Sequence, residues 1–197
     1  MAEIKSTMDL VMERAARIGK ASSEELRLEE AGKKGIQLAV EYLDGNLPDP
    51  LAAVQSQDKS LQLTVLRGMV TTLLRNIFLP RDQLQQESAE KAVRGVMSVE
   101  KGSGEIASIC AEVTNLLGGY MQHREQLRGQ LEEQIRLQVE NLLAQQPEMK
   151  KEGMRLDPTQ QPRFKEEWSR VEFELNRQYG KALDQLKEQI GQRLGLG

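Results

Sequence analysis

His123 is the single histidine of the chain and Cys110 its single cysteine. A metal site on a helix wants a carboxylate three residues before the histidine, with more carboxylates on neighbouring helices. Tyr120 holds that position here. If one helix carries both residues, its rise puts Cys110 about 20 Å from His123, too far to share a metal. Beside Ile106, Ile109 and Val113, Cys110 reads as a buried, unreactive thiol. Serine catalysis would have to recruit that same histidine, and no Gly-x-Ser-x-Gly elbow or strand exists to present a nucleophile. Gly102-Ser103-Gly104 stands before a helix but lacks the spacing and the lysine of a phosphate loop, so it reads as a helix break. Glu132/Glu133 and Glu166/Glu167 are neighbours in sequence, about 100° apart around a helix, and alternate with arginines. Solvated faces suit them better than paired acid–base work. No catalytic, cofactor-binding or metal-ligating residue emerges, so neither an enzyme nor a small-molecule substrate is expected.

Two features point outward. Met149, Met154 and Leu156 lie in a stretch, 147–162, broken by proline and glycine. At the tip of a projection they would meet either a partner or the end of their own hairpin. Phe173 falls off the apolar seam of its helix, whereas Phe164, Trp168 and Tyr179 keep to it. On two helices alone Phe173 would be exposed, which hints at a third helix from the bundle or from a second subunit. These four residues, Met149, Met154, Leu156 and Phe173, are the candidate partner contacts.

The elements that position them are helices throughout. Ile4, Met8, Val11, Met12, Ala15 and Ile18 recur every three or four residues, and Gly19 offers a stop. Ser22 or Ser23 before Glu24 and Glu25 starts a second helix running to about 43, with Ile36, Ala39, Val40 and Leu43 inward and Glu29–Lys33 and Glu30–Lys34 paired outside. Asp44-Gly45-Asn46, Pro48 and Pro50 make a turn. A short helix over 50–57 leads to the most apolar one, 59–79, with a stripe of Leu63, Leu66, Met69, Val70, Leu73, Leu74 and Ile77 ended by Pro80. A further helix over 82–99 gathers Ala89, Ala92, Val93, Val96 and Met97 on one side. Residues 1–102 thus read as an N-terminal bundle of four or five helices.

Residues 103–197 read as a long antiparallel helical hairpin connected at 147–162. Ile109, Tyr120, Leu131 and Leu142 are eleven residues apart, as are Phe164, Leu175 and Leu186, and Trp168, Tyr179 and Ile190. A heptad register would place Arg124, Gln134 and Gln138 on the seam, so the coiled-coil-like packing expected is nearly straight, of eleven-residue period. Helices over 103–146 and 163–194 would be roughly 65 and 48 Å long, beyond the ~30 Å of a small domain. Gly118-Gly119 costs about 2 kcal/mol relative to alanines, which leaves open whether the first helix is continuous or split into 103–117 and 120–146.

Composition narrows the classes. The net charge of −3 is spread along the chain, and residues 163–194 mix seven Lys/Arg with six Asp/Glu. No basic stripe for nucleic acid appears. The greasiest window, 61–79, holds Gln62, Arg67, Arg75 and Asn76, so no membrane span is expected. One cysteine and no signal-like leader fit a reducing, cytoplasmic setting.

Glu3-Ile4-Lys5-Ser6-Thr7-Met8, Glu13-Arg14-Ala15 and Gly19-Lys20 resemble the start of a family of small bacterial helical proteins of unknown function, over about the first twenty residues. The resemblance implies a bacterial cytosolic helical protein and carries over no active site. The overall expectation is an all-α structural or interaction protein, an assembly or adaptor factor acting through its hairpin. As a homodimer it would cover the apolar stripes that two helices leave open. The alternative is a stalk-like or secretion-associated peripheral subunit of a larger complex.

Overall fold

The first helix, α1, spans Thr7–Asp44 and runs unbroken through Gly19 and Ser22-Ser23, where a stop and a new start were expected. An interior glycine costs a helix only about 1 kcal/mol relative to alanine, and Ala15, Ala16, Lys20 and Ala21 around it all favour helix. The real stop is Gly45, at φ +86°. Its N–H donates to Tyr42 O at 3.0 Å and that of Asn46 to Glu41 O at 2.8 Å, the paired bonds by which a left-handed glycine closes a helix. The computed structural model describes residues 7–99, 104–145 and 157–196. Ile4 and the side chains of Met8, Val11, Met12, Ala15 and Ile18, assigned one apolar face above, lie outside the described residues. So do Gly102 and Ser103.

The buried face of α1 is Ala31, Gly35, Leu38 and Ala39, with Tyr42 and Leu43 partly buried. Ile36 and Val40, expected inside, point outward at 47% and 45% exposure. Glycine explains the rotation. A methyl on Gly35 would run into the carbonyl oxygen of Val65 and lie 2.8 Å from Met69 N. One on Gly68 would meet the carbonyl of Gly32, with the carbonyl carbon at 3.2 Å. The two backbones touch, so the small-residue face of α1 is the face that packs. Helix α3, Gln62–Arg75, runs parallel to α1: Arg27 pairs with Asp58 at 3.6 Å and Gly35 abuts Val65 and Met69. A parallel partner requires a return path. The turn after α1 and the short α2, Pro50–Gln55, supply it, with Asp49 accepting from Ala52 N at 3.0 Å.

Helix α3 is shorter than the 59–79 expected. Asn76 closes it, its side-chain amide donating to Thr72 O at 2.9 Å, and residues 77–80 lie outside any helix. Ile77 is buried nonetheless, as are Val65, Met69, Val70 and Leu73, whereas Leu63, placed on the stripe above, is exposed. Helix α4, Gln83–Ser98, starts with Asp82 accepting from Gln85 N at 2.8 Å. It buries Ala89, Ala92, Val93 and Val96, while Met97 faces out. Helix α5, Glu105–Gln145, is continuous through Gly118-Gly119 for 41 residues. A 3-10 turn, Pro158–Gln160, leads into α6, Pro162–Arg193. These are six α-helices with no strand among the described residues, an all-α fold.

Helix α1 packs on α3, α3 on α4, α4 on α5 and α5 on α6, and α4 also touches α1. One buried cluster joins Ala31, Leu38 and Ala39 of α1 to α3, to α4, to Ile106, Ile109, Cys110, Val113 and Leu117 of α5, and to Leu183 and Ile190 of α6. The base of the α5–α6 pair therefore belongs to the same core as the first four helices. A second, separate cluster, Leu131, Ile135 and Phe164 with Val139 and Trp168 against it, draws on α5 and α6 alone.

Candidate functional site

Helices α5 and α6 run antiparallel, and their contacts can be followed level by level. Glu105 pairs with Arg193 at the base. Leu117 and Leu183 are the last residues there to join the main core. Next come Gly118 and Gly119, level with Gly180, and then a polar layer. Tyr120, 1% exposed, donates from its hydroxyl to Asn176 Oδ1 at 2.7 Å. Its ring stands edge-on to Tyr179, with centroids 5.4 Å apart. Burial pushes the Tyr120 phenol above its ordinary value of 10.0, with Arg124 pulling the other way and Glu172 adding to the rise, so it remains a donor at neutral pH. His123 Nδ1 lies 3.4 Å from the Tyr179 hydroxyl.

Arg124 organises the next level. Its Nε and Nη2 donate to Glu172 Oε1 at 3.0 and 2.8 Å, and Nη1 donates to Arg81 O at 3.2 Å. The guanidinium also sits over the Trp168 ring, 5.5 Å from its centroid. One side chain thus joins α5, α6 and the connection between α3 and α4. A heptad register is disfavoured because it puts Arg124 on the seam, yet Arg124 does lie there at 18% exposure because Glu172 neutralises it. Nearer the base, Lys187 of α6 donates to Ile77 O at 3.0 Å. Burial lowers its amine below the ordinary 10.5, and Asp184 partly offsets the shift.

Of the eleven-residue series on α5, Ile109, Tyr120 and Leu131 are buried, but Leu142 is 64% exposed. On the antiparallel register Leu142 lies beyond the level at which α6 begins, which leaves it uncovered among the described residues. Phe173 is 70% exposed on the side of α6 away from α5, between Ser169, Arg170 and Arg177. Met149, Met154 and Leu156 lie outside the described residues, so the structure does not bring them together with Phe173. Cys110 is buried in the main core and remote from His123. Among the described residues no three His, Cys, Asp or Glu side chains converge, and no helix is long and apolar enough to cross a membrane. A polar groove of about 990 Å³ runs between α4 and α5, lined by Gln83, Gln86, Glu90, Asn115, Gly118 and Gln122 among others. The Arg124–Glu172–Trp168 cluster is not among the residues expected from sequence. Its signal was available: an arginine on the apolar face of one helix facing a Glu four residues from a Trp on the other.

Residues 51–192 match a family of unknown function (DUF6657), so the chain belongs to that family. The match runs from α2 to the end of α6 and leaves out the opening twenty residues on which the resemblance above rested, so the likeness is not confined to that opening. Neither the curated proteins nor the solved structures give a match to this chain.

Proposed function

We propose that this is a non-enzymatic, cytoplasmic interaction protein that assembles through the outer half of its α5–α6 hairpin, with a second copy of itself as the first partner. The observation that carries this reading is the thinness of that half. Beyond the Arg124 level two helices share a cluster of three buried residues, Leu131, Ile135 and Phe164. Among the described residues Leu142 on α5 and Phe173 on α6 are largely exposed, and Leu137 is about half exposed. Covering a Leu or Phe side chain contributes about 1.5–3 kcal/mol, so such a surface gains from a partner.

Light scattering at micromolar concentration tests it. A dimer is expected, reverting to monomer in a Leu142→Ser/Phe173→Ser variant whose helicity is unchanged. A wild-type monomer that unfolds cooperatively sinks the dimer and leaves the stalk-like subunit, for which the host partner should be lost on deleting 149–161.

A further inference from the structure

The glycines of the helices fall into two kinds. Gly35, Gly68 and Gly95 are required by packing, since a methyl on each would strike backbone or, at Gly95, Tyr42 Cε1 at 2.6 Å. Gly118, Gly119 and Gly180 are not, nor are Gly32, Gly129 and Gly191, but only the first three share one level of the α5–α6 pair. Around Gly118 and Gly180 there is nothing within 4 Å of an added methyl, and at Gly119 the nearest atom is the Tyr179 hydroxyl at 3.9 Å. None of the three has a positive φ. Neither space nor backbone conformation calls for glycine there. What three glycines do bring is a local loss of helix preference.

Their placement gives that loss a direction. The three stand at one height of the antiparallel pair, two on α5 and one on α6. The main core ends at that height, at Leu117 and Leu183. The next apolar cluster begins only at Leu131 and is built from α5 and α6 alone. Just outside the glycine level, Arg124 Nη1 reaches Arg81 O in the α3–α4 connection. We infer that the α5–α6 pair is hinged at Gly118-Gly119 and Gly180, and that Arg124 is the latch holding the outer arm against the body. The arm swings as a unit, because Tyr120–Asn176, Arg124–Glu172 and the distal cluster all move with it. Bends in long helices concentrate where glycine weakens the helix, and hinges need few residues to absorb the change.

Distance distributions between spin labels on the full chain test this. One pair, Arg94→Cys with Gln134→Cys, spans body and arm. Arg67→Cys with Arg94→Cys stays within the body, and Gln134→Cys with Lys165→Cys within the arm. Cys110 is buried and is left unlabelled. The spanning pair should give a wider distribution than either internal pair. Gly118→Ala/Gly119→Ala/Gly180→Ala should narrow it to the width of the internal pairs. Arg124→Gln should widen it further, with both internal pairs unchanged, which also certifies that each variant is folded. A spanning distribution as narrow as the internal ones, or one that the alanines leave unaltered, overturns the hinge. A change of oligomeric state in the alanine variant without a change in width overturns it too, and assigns the glycines to close contact with another chain.

Discussion

Gly35→Ala and Gly32→Ala place the same methyl three residues apart on α1 and should act in opposite directions. At Gly32 nothing lies within 4 Å of the added carbon. The substitution should therefore deliver only the helix preference of alanine, a gain of about 0.5–1 kcal/mol. At Gly35 the methyl meets the Val65 carbonyl and sits 2.8 Å from Met69 N and 2.9 Å from Val65 C. Backbone on α3 cannot rotate away, so the helices must part by roughly 1 Å, a gap that forfeits a quarter to a half of each dispersion contact across the seam. Overpacking of this kind costs about 1–3 kcal/mol or more. Separation also loosens Ala31, Leu38 and Ala39 from Val65, Met69 and Leu73, all buried in one cluster. With a backbone contact the cost falls at the upper end of that range, and taking off about 1 kcal/mol of helix preference leaves a net loss of about 2 kcal/mol. For a chain of this size that is about 4–8 °C in Tm at 2–4 °C per kcal/mol. Urea unfolding followed by far-ultraviolet circular dichroism reads both variants against wild type. A Gly35→Ala protein as stable as wild type, or Gly32→Ala the weaker of the two, refutes the backbone contact.

Two further outcomes follow from single side chains. Tyr120 has a folded pKa above its unfolded one, so its contribution is fully present below about pH 10 and is lost as pH rises through the folded value. Lys187 has the opposite displacement and contributes a rise in stability with pH towards 10.5. Tyr120→Phe should therefore remove the alkaline loss and leave stability climbing above pH 10, besides costing about 1 kcal/mol at neutral pH for the bond to Asn176; an unchanged alkaline slope in urea titrations contradicts this. Cys110 is fully buried in the main core, so a thiol reagent should label it only at the rate of opening that core, and rapid stoichiometric labelling of the native protein would contradict the packing.

Helical class was legible because the three- and four-residue apolar recurrence runs the length of the chain. The faces were less so. Ile36 and Val40 were placed inside because they are apolar, yet Ala31, Gly35 and Ala39 are the packing face because they are small. Their four-residue spacing was the available signal, and a residue's size carries as much weight as its hydropathy where two backbones meet. Gly19 was given a stop it does not make, because one glycine among good helix formers is only a modest cost. The end of α3 was misplaced for a different reason: Pro80 marks a boundary, but the Asn76 side chain takes the last carbonyl a turn earlier. Arg124 could not be placed from α5 alone. A charged residue on a seam reads as an error until its partner, Glu172, is known to lie across from it.

The main core is closed by the last helix. Leu183 and Ile190 of α6 join the buried cluster that also holds residues of α1, α3, α4 and α5, and Lys187 ties back to Ile77 across 110 positions of sequence. During synthesis the first four helices can therefore gather only around an unfinished wall. Contacts of such long sequence separation form late, and they slow folding. The native core thus waits on the arrival of α6, and the first four helices cannot complete it by themselves.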